Sequence, residues 1–106
     1  MRSIGLKVQN NELIATGDLT GIVAGETPYV QFNITTADMS WYSATIALVF
    51  EWDKKQKVVQ ANTSGIALMP EEVSNERYFY MRVIGLLPNG TRYVTKNRLL
   101  VEQEEV

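Results

Sequence analysis

"WYSATIALVFEWD", Trp41 to Asp53, reads with a period of two. Tyr42, Ala44, Ile46, Leu48, Phe50 and Trp52 fall on one side, and Trp41, Ser43, Thr45, Ala47, Val49, Glu51 and Asp53 on the other. Side chains alternate across a strand, so the first set is a continuous apolar stripe that belongs against the interior. "RYFYMRVIGL", Arg77 to Leu86, repeats the pattern with Tyr78, Tyr80, Arg82, Ile84 and Leu86 opposite Phe79, Met81, Val83 and Gly85. A strand apolar on both sides is expected at the centre of a sheet and covered on both faces, with the stem of Arg82 along the surface and its head in water.

Working outward, "SIGLKVQ" (Ser3 to Gln9) sets Ile4, Leu6 and Val8 against Lys7 and Gln9 and stops at a turn, Asn10–Asn11. "ELIATGDLTG" holds a short strand or an irregular edge, "AGETPY" a bend, and "YVQFNIT" a strand with Val30, Phe32 and Ile34 inward. "DKKQK" reads as a polar hairpin tip. "VVQANT" and "GIALMP" read as one edge strand broken at Thr63, Ser64 and Gly65. "PEEVSNER" is long enough for a single helical turn between strands. "GLLPNG" (Gly85 to Gly90) is a hairpin turn at Pro88, Asn89 and Gly90, because Asn and Gly both tolerate positive φ. A phosphate-cradling loop would need a longer glycine array opening a helix, and none follows Gly90.

"TRYVTK" and "RLLVEQ" complete the sheet, and residues 102–106 read as a flexible acidic tail. About seven strands with short polar turns point to an all-β fold, an immunoglobulin/fibronectin-like antiparallel β-sandwich over residues 1–106, with a small barrel as the alternative. Its expected core includes Phe32, Ile46, Leu48, Phe50, Trp52 and Val83.

Composition narrows function by exclusion. The 106 residues contain no cysteine and no histidine, which removes disulfides, thiolate metal sites and the commonest general base. The net charge of -2 and the absence of a basic run argue against a nucleic-acid partner. No signal peptide or membrane-spanning stretch is apparent, so cytoplasmic synthesis without membrane insertion is expected. The Asn-x-Ser/Thr patterns at Asn33, Asn62 and Asn89 then read as chance.

No cofactor is expected, and catalysis lacks a converged group. Ser43 and Ser64 have no lysine at a telling spacing; the carboxylate pairs Glu51/Asp53 and Glu71/Glu72 read as a solvated strand end and a helical turn. What remains is contact chemistry. Trp41 and Tyr93, with Arg82, are the candidates for a protein interface or a sugar-stacking platform, Trp41 being placed at an open sheet end beside "TTADMS".

The order of "YVQFNIT", "WYSATIALVFEWD", "LMPEEV" and "YFYMRVIGLLPNGTRYVTKNRLLVEQ" resembles small β-sandwich domains of bacteriophage and prophage tail or baseplate proteins. That resemblance implies framework roles for Leu68, Pro70, Val73, Tyr78, Tyr80, Val83 and Gly85. It further implies a virion component made in a host bacterial cytoplasm, acting by self-association or by binding other virion proteins. A carbohydrate-binding or adhesion module is the second expectation.

Overall fold

The computed structural model describes residues 2–24 and 30–104. Their strands are β1 (Arg2–Gln9), β2 (Glu12–Ala15), β3 (Val30–Thr36), β4 (Thr45–Trp52), β5 (Lys55–Gln60), β6 (Ile66–Leu68), β7 (Tyr78–Leu86), β8 (Arg92–Val94) and β9 (Leu99–Glu102). Two sheets pack face to face as a β-sandwich. One has the order β2-β1-β3-β6; the other has β5-β4-β7, with β8 and β9 sharing the far edge of β7. The expected bend at residues 24–29 falls, apart from Ala24, outside the described residues.

The core lies between the sheets. Ile4, Leu6, Val8 and Phe32 point in from one side, and Leu48, Phe50, Trp52, Phe79, Met81 and Val83 from the other. Phe50 sits at the centre, its ring 5.9 Å from Phe32 and 5.7 Å from Phe79. Each such side chain contributes about 1.5–3 kcal/mol through removal from water. Of the expected core residues only Ile46 is incompletely covered, because it sits at the open end of β4 and lines a cleft there.

Several expectations are corrected. The alternation does not run through residues 41–44, because Met39–Trp41 form a 3-10 turn in which the Trp41 N–H donates to Asp38 O and the Tyr42 N–H to Met39 O. Winding the chain there exchanges the two aromatics: Trp41 is 1% exposed and Tyr42 66%. Trp41 plugs one end of the core, stacked on Tyr93 at 5.4 Å, with its Nε1–H donating to Asn11 Oδ1 at 2.9 Å. Gly85 makes room for it, since a Cβ there would stand 2.8 Å from the indole.

β5 and β6 are not one broken strand but the edges of different sheets; with Glu12–Ala15 also a true strand, the count is nine rather than about seven. The crossing is held by Asn62 Oδ1, which accepts the N–H groups of Ser64 and Ile66, and by Gly65 at φ 81°. β1 and β3 pair in parallel, so the sandwich is not wholly antiparallel; the twenty residues of sequence between them are long enough for the return that a parallel pair needs.

The expected tail is docked as far as Glu104. Glu102 ends β9, the buried Gln103 donates both amide hydrogens to Val73 O and Glu76 O, and the Glu104 N–H donates to Ile22 O. Residues 105–106 lie outside the described residues.

The hairpin at Pro88, Asn89 and Gly90 is present, closed by Gly90 N–H to Leu87 O, but only Gly90 (φ 89°) is left-handed. Two-residue turns with both φ positive occur instead at Asn10–Asn11 and Asp53–Lys54, so Lys55 and Lys57 of the expected "DKKQK" tip belong to β5.

Candidate protein interface on the five-stranded sheet

Strand register settles which side chains share the outer face of the five-stranded sheet. Residues directly opposite each other point the same way, so Val49 is flanked by Val58 and Arg82, Ala47 by Ile84, Ile84 by Val94, Leu86 by Arg92, Tyr80 by Leu100 and Tyr78 by Glu102. Val58, Tyr78, Leu86, Val94 and Leu100 remain 39–53% exposed. β7 is central, as expected, but it is covered on one face only; its second apolar side looks outward.

Charge is organised around the middle of this face. Arg82 forks onto Glu51, Nε to Oε1 and Nη2 to Oε2, both at 3.0 Å. Arg98 approaches the same carboxylate at 3.7 Å and lies 4.5 Å above the Tyr80 ring, while Tyr78 meets Tyr80 edge-on at 6.1 Å. Arg98 reaches this position because the edge strand breaks between β8 and β9.

At the break the Thr95 N–H donates to Val83 O, and Thr95 Oγ1 accepts the Val83 N–H. Asn97 then grips the other sheet: its Oδ1 accepts the Leu13 N–H at 2.7 Å and its Nδ2 donates to Leu13 O at 2.9 Å. A side-chain amide thereby does for the β2 edge what another strand would do. Two hollows flank the face. One of about 560 Å³ lies beside Tyr78, Tyr80 and Arg98, and one of about 300 Å³ lies beside Ile84, Leu86 and Arg92.

Of the three residues singled out from sequence, Arg82 is on this face, half-buried, while Tyr93 and Trp41 are stacked at the core's end. Trp41 therefore cannot serve as an exposed platform. The carboxylate pairs do not converge either: Glu51 is committed to arginines, and Asp53 has left the strand for a left-handed turn position (φ 42°). Glu72 is held by Lys57 Nζ at 3.1 Å, and that hydrogen bond keeps its carboxyl below the usual range. Among the described residues no group of three or more acidic, His or Cys side chains could hold a metal ion. Comparison of the chain with protein-family models, curated proteins and solved structures found no match.

Proposed function

We propose that this chain is a non-catalytic assembly module that docks other protein through the outer face of the five-stranded sheet, in the setting of a phage or prophage virion. One observation carries the reading. Five of the nine exposed large apolar side chains among the described residues (Val58, Tyr78, Leu86, Val94 and Leu100) share that one face. Scattered exposed apolar groups are ordinary; a contiguous set is a docking feature. Two of the sheet edges are poor alternatives for pairing, since β5 presents Lys55 and Lys57 and the β2 edge is occupied by Asn97.

A photo-reactive amino acid placed at Val94, and separately at Thr35 on the opposite sheet, tests this in producing cells. Val94 should give protein adducts of discrete mass and Thr35 none; adducts from neither, or equally from both, contradict the reading. A saccharide reading retains one support in Tyr42, exposed over a cleft of about 410 Å³ lined by uncharged groups including Thr36, Asn62 and Ser64. A glycan panel comparing the parent with Tyr42→Ala decides it.

A further inference from the structure

On the reading of the outer face as a protein-docking surface, we infer that its occupant is a second copy of this chain, packed face to face about a two-fold axis that crosses β7 at Arg82. Two rows of outward side chains support this. Along β7 the order is Tyr78, Tyr80, Arg82, Ile84, Leu86; on the adjoining edge it is Glu102, Leu100, the break, Val94, Arg92. Turned end for end about Arg82, the rows match themselves. Tyr80 and Leu100 of one copy fall on Ile84 and Val94 of the other, and Tyr78 falls on Leu86, beside the smaller hollow.

The ends match in charge. Glu102 meets Arg92 of the second copy, twice, once at each end of the interface. Among the described residues neither side chain has an ion-pair or hydrogen-bond partner within its own chain. The charges nearer the axis are already spent: Glu51 draws the Arg82 guanidinium off the axis, and Arg98 lies over its own Tyr80. A two-fold contact requires this self-complementarity, residue for residue.

Size sets the strength. Four strand columns about 4.8 Å apart, and nine residues of β7 rising about 3.3 Å each, cover on the order of 500–600 Å² per copy. That is the low end of specific interfaces, so association in the micromolar range is expected rather than an obligate dimer.

Sedimentation equilibrium of the full chain from micromolar to near-millimolar concentration is the test, with circular dichroism checking the fold of each variant. The parent should pass from monomer to dimer. Arg92→Glu or Glu102→Arg, each placing like charges together at both ends, should weaken the dimer about tenfold or more, and the double swap should restore it. A chain monomeric throughout, or a dimer indifferent to the swap, overturns the proposal. The two readings fail separately: Val94 adducts to a different protein from a monomeric chain keep the docking face and discard the second copy, whereas no Val94 adducts discard both.

Discussion

Outside the four-stranded sheet, the central strands β1 and β3 present Ser3, Lys7, Gln31, Asn33 and Thr35, with exposed apolar Ile14 and Leu68 on the edge strands; outside the five-stranded sheet, β7 and its neighbours present Tyr78, Ile84, Leu86, Val94 and Leu100. The inner faces show no such difference, since both are predominantly apolar and share one core. Folding needs only the inner faces to be apolar. A sheet with one wet side ordinarily alternates apolar-in and polar-out, as β1 and β3 do. The outward apolar row on β7 thus serves something other than closing the core, and contact with protein is the economical use for it.

Both outer faces rest on one rigid core, so the largest effects come from what the two sheets share. Trp41→Ala should cost about 3–5 kcal/mol in urea unfolding, as expected for an emptied aromatic site. A loss within about 0.5 kcal/mol, the range of surface changes, would return Trp41 to the surface. Gly85→Ala, which pushes a methyl group into the same indole, should cost about 1–3 kcal/mol. Asn97→Ala strips both hydrogen bonds from the Leu13 backbone and should cost about 1–3 kcal/mol, with faster amide exchange at Leu13 as its signature.

Sharper discrimination comes from matched surface pairs. Leu86→Lys with Val94→Lys should change stability by about 1 kcal/mol or less yet abolish association, while Gln31→Lys with Thr35→Lys should leave association intact. The smallest effect concerns the rim. Because Glu72 titrates below its usual range when paired with Lys57, its contribution is present at neutral pH and disappears as pH falls through that lowered value. Glu72→Gln should therefore flatten the acid limb of the stability profile slightly and leave the neutral-pH dimer unchanged.

Much of this was legible in the residues alone. The alternation in β1, β3, β4 and β7, the Asn10–Asn11 turn and the hairpin at Pro88–Gly90 follow from local backbone preferences that the fold does not override. What escaped is non-local. The 3-10 turn before β4 shifted the phase by a residue and exchanged Trp41 for Tyr42, a change no periodicity registers. The separation of β5 from β6, and the Asn97 grip on Leu13, depend on which sheet each segment meets. The candidate face escaped for an instructive reason: a strand apolar on both sides reads as covered on both sides, whether the cover comes from its own chain or from another. The signal lies in "YFYMRVIGL", whose second apolar side is the outer face of β7.

The most direct measurement is a dilution series of amide spectra of the uniformly labelled chain, assigned along both sheets. Concentration-dependent shifts should be confined to residues 78–86, 92–94 and 99–102 and their neighbours on β4, with β1 and β3 silent. Shifts on β1 and β3 instead, or spectra unchanged up to millimolar concentration, would contradict a second copy seated on the apolar outer face.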